Sequence, residues 1–241
     1  MVFDPVNLLY FAIIAPIAIL TGLFLIRRDT EKDRLLILII LSILLFVVRI
    51  FLVLFADTIG IMPYLEYDII FYTFLTVFGV LFTIIYVLKV EKSTLQEVGW
   101  KIKDKKKSIA YGLIGYLPLI AFMPLVLLLT GIEVSSTITW EKIVLGIEFG
   151  FILGGFYEET MFRGVIQNHL SKVMSEKMTV ISTALIFTAT HLWYLPFTGY
   201  GIYYFFVLLM AFLLSILRLK GDLLASAILH GGIVFFLIIA I

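Results

Sequence analysis

Eight apolar runs, each near the length of a membrane crossing, dominate this sequence, at about residues 6–26, 35–55, 69–88, 109–130, 143–169, 178–195, 202–217 and 223–241. A helix needs roughly 20 apolar residues to cross about 30 Å of hydrocarbon. The expected fold is therefore all-α: a polytopic membrane protein of about eight transmembrane helices in one bundle. Composition agrees, since 62% of the chain is hydrophobic, against roughly 45–50% in soluble domains. With 241 residues, the spans and their loops use nearly the whole chain, so 1–241 is expected to be a single transmembrane domain. The first run follows Asp4 without a basic flank or a cleavage site, which reads as a retained span.

The basic residues predict an orientation. Arg27, Arg28, Lys32 and Arg34 fall in the first loop. Lys89, Lys92, Lys101, Lys103, Lys105, Lys106 and Lys107 fall in the third. Lys172 and Lys177 fall in the fifth, and Arg218 and Lys220 in the seventh. Only Lys142 belongs to an even loop, so the positive-inside rule puts the odd loops in the cytoplasm and both termini outside. The expected location is the plasma membrane of a prokaryote. The third loop, KVEKSTLQEVGWKIKDKKKS, reads as a short amphipathic element on the cytoplasmic surface, drawn to anionic lipid. Partners are thus the lipid bilayer and whatever substrate the bundle admits. No nucleic acid is expected, because no basic tract is interleaved with aromatic residues. Cysteine is absent, which excludes thiol nucleophiles, disulfides and thiolate metal ligands.

The segment FYEETMFRGV, residues 156–165, places three charges inside the fifth run. Glu159 and Arg163 are four apart, so they stack on one helix face and neutralise each other in the favourable order. Glu158 points about 100° away and is the glutamate left over. Gly146, Gly150, Gly154 and Glu158 recur every four residues, and small residues at that spacing let membrane helices approach closely. The stripe turns Glu158 towards other helices. A buried polar clasp is the bland reading; a functional acid is favoured because ionisable groups within spans are functional by default. Of the three histidines, His169 is expected on the cytoplasmic surface, while His191 and His230 lie in the sixth and eighth runs.

A glutamate beside histidines in a restricted cavity can activate water. The carboxylate takes the proton, and imidazole orients the water or donates to the oxyanion. One zinc ion held by Glu158, His191 and His230 is the alternative, and spacing does not separate the two. HExxH and the nucleophile elbow are both absent. The rival acid pair, Asp68 and Asp222, lacks the first glycine of a GxGD motif.

The blocks EETMFR (158–163), FTATH (187–191) and the histidine of HGGIV (230–234) resemble the EExxxR, FxxxH and HxxxN/D motifs of the CPBP family, the type II CaaX prenyl endopeptidases and bacteriocin-processing enzymes. The resemblance covers about residues 140–241, and the spans from about 6 to 130 match only in hydropathy. It implies an intramembrane endopeptidase that cleaves a membrane-associated peptide or lipidated, CaaX-like protein. Glu158 would be the base, assisted by His191, with His230 stabilising the oxyanion. Glu159 and Arg163 would hold the site together, with Phe187 packed beside it. Both a metal-dependent and a metal-free glutamate mechanism are associated with the family, so zinc is the one cofactor to test. Val234 stands where the family has Asn or Asp, and it can neither donate nor ligate. A proteolytically silent scaffold that binds a membrane partner is the second hypothesis. A small transporter is the third, weakened by the lack of repeats and broken helices. Arg49, in the second run, is expected to pair with Glu148 or Glu159, with capture of a substrate carboxylate or snorkelling as alternatives.

Overall fold

The computed structural model describes residues 69–131, 133–135, 137–191 and 201–240, with Pro16, Asp33 and Leu36. Apart from Pro16 and Leu36, the runs at 6–26 and 35–55, and with them Arg49, lie outside the described residues, as does Asp68. Every regular element among the described residues is helical, as expected. Among the described residues there are seven α-helices: α1 (Ile69–Ile85), α2 (Lys105–Thr130), α3 (Trp140–Gly146), α4 (Gln167–Ser171), α5 (Glu176–Thr190), α6 (Gly201–Lys220) and α7 (Leu223–Ala240).

The expectation of about eight transmembrane helices is not met. Among the described residues, three helices are long and apolar enough to cross a membrane: Lys105–Leu129, Gly201–Lys220 and Leu223–Ala240. Three other apolar runs among the described residues fall short for identifiable reasons. The run at 143–169 is not a uniform α-helix, because α3 passes into π-helical winding over Ile147–Glu158 and again over Thr160–Ile166 before α4. It also carries Glu148, Glu158, Glu159 and Arg163. The sixth run forms an α5 of only 15 residues, and α1 has 17. Hydropathy measures apolar length and is blind to winding, which is how these runs came to resemble spans. The three long helices, with apolar side chains such as Leu113, Ile114, Leu117 and Leu128 turned outward, make this an integral membrane protein.

Local chemistry sets the helix ends. Asp104 accepts from the Lys107 N–H at 3.1 Å, Thr139 from Lys142 at 3.3 Å and Ser175 from Met178 at 3.5 Å. Each such N-cap satisfies a donor that the first turn leaves open, for about 1 kcal/mol. Gly131 ends α2 in the left-handed conformation, φ 66°, which a Cβ would disfavour.

Of the three long helices α7 is the most enclosed, and it lies against the glycine stripe. A Cβ on Gly150 would sit 2.6 Å from the Gly231 carbonyl oxygen, so the two backbones touch because both positions lack side chains. This contact seats His230 beside Gly154 and sets the depth of the site.

Two expectations about polar segments change. His169 is buried, and its Nε2 lies 2.8 Å from Glu91 Oε2. Its carboxylate partner is 78 residues away in the chain, beyond any local signal. The third loop is not merely a surface element. Its stretch Gln96–Trp100 packs into the protein with Val98 buried, while the lysines of 101–107 remain exposed.

Candidate active site

The helical rod from Trp140 to Ser171 carries the acids. Wide π winding recurs at functional sites, and here it flanks Glu159 on both sides. Glu159 is fully buried. Its Oε1 accepts from Arg163 Nη1 at 3.0 Å and from His230 Nδ1 at 2.8 Å. Arg163, also fully buried, donates from Nη2 to the Ala211 carbonyl of α6 at 3.3 Å. Its guanidinium lies 4.2 Å from the centre of the Phe187 ring. Two charges are thereby held away from lipid by each other, a backbone oxygen and an aromatic face.

Glu158 keeps a partly exposed side chain. His191 Nε2 and His230 Nε2 each lie 3.8 Å from its Oε2. Those separations exceed a hydrogen bond and leave the three groups facing one small space. The other nitrogen of each ring is engaged. His191 Nδ1 meets the Phe187 carbonyl at 2.9 Å and His230 Nδ1 meets Glu159. Since a carbonyl and a carboxylate only accept, each Nδ1 carries a proton, and each ring turns its Nε2 towards Glu158. Phe187 is fully buried between these groups, its ring centre 4.3 Å from that of His191 and 5.5 Å from that of His230.

The structure thus brings together Glu158, Glu159, Arg163, Phe187, His191 and His230. Arg49 lies outside the described residues. Of its two expected partners, Glu148 accepts from Thr73 Oγ1 at 2.8 Å, and Glu159 is taken by Arg163 and His230. Asp222 serves structure, accepting from Ser108 Oγ at 2.8 Å and from the Leu224 N–H at 3.1 Å. Val234 sits one turn beyond His230 on α7. Asn168, on the same rod, accepts from Arg218 at 3.4 Å.

The zinc arrangement of Glu158, His191 and His230 does not form as these side chains stand. Among the described residues, no group of three or more His, Asp or Glu converges to hold a metal ion. The metalloendopeptidase reading is therefore not supported by this donor set.

Sequence reasoning missed Trp100 and Thr160. Trp100 Nε1 donates to Thr160 Oγ1 at 2.8 Å, next to Glu159. The tryptophan within the loop's polar stretch was the one available signal.

Residues 140–236 match the family model for the type II CAAX prenyl endopeptidase Rce1-like group. No curated protein and no solved structure gives a match. The matched stretch contains every acid, arginine and histidine of the site, which gives the chain a membrane hydrolase site of this family's general kind. Through that stretch, less than half of the chain, the protein is similar to the Rce1-like group of type II CAAX prenyl endopeptidases.

Proposed function

We propose that this protein is an intramembrane endopeptidase, with Glu158 activating the water that attacks a peptide bond of a membrane-associated or lipidated substrate. The observation that carries this reading is the convergence of His191 Nε2 and His230 Nε2 on Glu158 Oε2 at equal distances of 3.8 Å. One water oxygen at hydrogen-bond distance from two such groups fits that separation.

In the proposed reaction the water donates a proton to Glu158 as its oxygen bonds to the scissile carbonyl carbon. His191 Nε2 accepts from the second water hydrogen and sets the angle of attack. The carbonyl π bond opens to an oxyanion, which accepts from His230 Nε2–H. That donation needs the doubly protonated ring, and Glu159 beside Nδ1 is its counter-charge. When the C–N bond breaks and the carbonyl re-forms, the leaving amine takes the proton from Glu158, giving a carboxylic acid and an amine. Arg163 balances Glu159, so Glu158 is the acid left to take the water's proton.

The lysines and arginines at one end of the bundle, including Lys101 to Lys107, Lys172 and Arg218, support a site approached from the cytoplasmic side. A CaaX-like substrate rests on the family match alone. The test is cleavage by purified protein of a mixed library of prenylated and plain C-terminal peptides, read by mass spectrometry. Wild type is expected to cut and Glu158→Gln to lose at least about 10³-fold, as for loss of a general base with its proton path. Cutting by both equally refutes the role of Glu158.

Val234 favours a second reading, a silent member that binds a partner without cleaving it. Loss of one oxyanion donor costs about 10²–10³ in turnover. If wild type cuts nothing while Val234→Asn cuts, the silent reading stands.

A further inference from the structure

We infer that Trp100 is a positioning residue, clamping the turn that carries Glu158 and Glu159 from outside the long rod. This rests on the proposed peptidase reading and adds to it a residue that lies outside the family match.

The clamp is built from local chemistry upward. Thr94 and Glu97 form a capping box. The Thr94 N–H donates to Glu97 Oε2 at 2.8 Å, and the Glu97 N–H donates to Thr94 Oγ1 at 3.2 Å. That reciprocal pair starts a single helical turn on a segment too short to be stable alone. Gly99 ends it at φ 129°, a backbone conformation that glycine adopts without strain. The turn therefore delivers Trp100 in one direction.

What Trp100 meets is the catalytic turn. Its indole N–H donates to Thr160 Oγ1, and Thr160 in turn donates to the Phe156 carbonyl. The indole ring packs on the Phe156 ring with centres 5.4 Å apart. The same segment is tied further along the rod. Arg218 bridges it to the rod, donating from Nη2 to the Val98 carbonyl and from Nε to the Arg163 carbonyl, both at 3.3 Å. Gly164 lies against the Val98 oxygen, which a Cβ there would approach to 3.0 Å.

The segment thus touches residues 156, 160 and 164 and reaches the Arg163 carbonyl through Arg218, and these positions bracket Glu158 and Glu159. Thr160 is where this support matters most. Its hydroxyl is the relay between the indole and a carbonyl inside π-wound backbone, where side-chain bonds compete with the helix ladder. Fixing that hydroxyl fixes the rotation of the turn, and so the approach of Glu158 to the two histidines. Misplacement by about 1 Å costs on the order of a hundredfold in rate.

The experiment compares Trp100→Phe, Thr160→Val and the double variant in the full-length protein. Phenylalanine keeps an aromatic ring and removes the N–H. Each single change is expected to lower kcat about ten- to hundredfold with KM unchanged, and the double to fall no further than the worse single. Hydrogen exchange at the 156–162 amides is expected to quicken severalfold in Trp100→Phe. Unchanged kcat, additive losses or a rise in KM alone overturn the positioning role. If wild type cleaves nothing, the peptidase reading fails by itself, and the clamp is decided by exchange: unchanged protection at 156–162 overturns it.

Discussion

Replacing Arg163 with methionine tests the electrostatic core of the site. Arg163 and Glu159 are both fully shielded from solvent, and their contact is 3.0 Å. Arg163→Met keeps most of the side-chain length and its packing on Phe187, but it leaves the Glu159 carboxylate with His230 and without its guanidinium. Breaking a buried pair in this way costs about 3–5 kcal/mol, or a change of roughly 150- to 4,000-fold in the folded-to-unfolded ratio. Denaturant unfolding in detergent, followed by tryptophan fluorescence, measures it. The double variant Glu159→Gln with Arg163→Met removes the stranded charge as well, while the Gln carbonyl oxygen can still accept from His230 Nδ1. It is expected to regain most of the loss, because apolar replacement of both partners is often near neutral. A loss below about 1 kcal/mol in Arg163→Met would refute the reasoning, as would a double variant no more stable than the single.

Gly150→Ala is expected to lower stability by at least about 1–3 kcal/mol, because its Cβ would lie 2.6 Å from a backbone oxygen of α7 that no rotamer can move aside; thermal unfolding that matches wild type counts against the close approach. The Glu97 carboxyl is held below its ordinary range, first by the Thr94 N–H and then by the hydroxyls of Thr94 and Ser93. A lowered folded value means that its contribution to the clamp is complete above the ordinary carboxylate range and is lost as pH falls through the folded value. Trp100 fluorescence, read with Trp140 and Trp193 replaced by phenylalanine, should change on that acid side, and Glu97→Gln should abolish the transition.

Much of the site was legible in sequence because its signals are local or periodic. The i to i+4 spacing of Glu159 and Arg163 is a single-turn relationship, and it survives winding that departs from a regular α-helix. The glycine stripe is a periodic signal of the same kind, and it marks the face on which α7 lies. Helical class likewise follows from apolar composition, which acts residue by residue. The count of spans did not follow, because apolar length carries no information on winding or on where a helix stops. Ser175, the N-cap that starts α5, lies within the reach of sequence rules, whereas the π turns on either side of Glu159 do not.

Everything that joins distant segments was decided by tertiary structure. His169 looked like a surface residue until Glu91, 78 positions earlier, closed over it. The third loop looked like a membrane-surface element until Trp100 met Thr160 across 60 residues. Glu159 and His230 are 71 apart, and nothing in either neighbourhood chooses which of the two glutamates the histidine takes. Sequence by itself determined which groups must avoid lipid, since their cost in an apolar medium belongs to each side chain. Their partners were settled only when packing fixed the helices, because a buried charge is satisfied by geometry and geometry is a property of the whole chain.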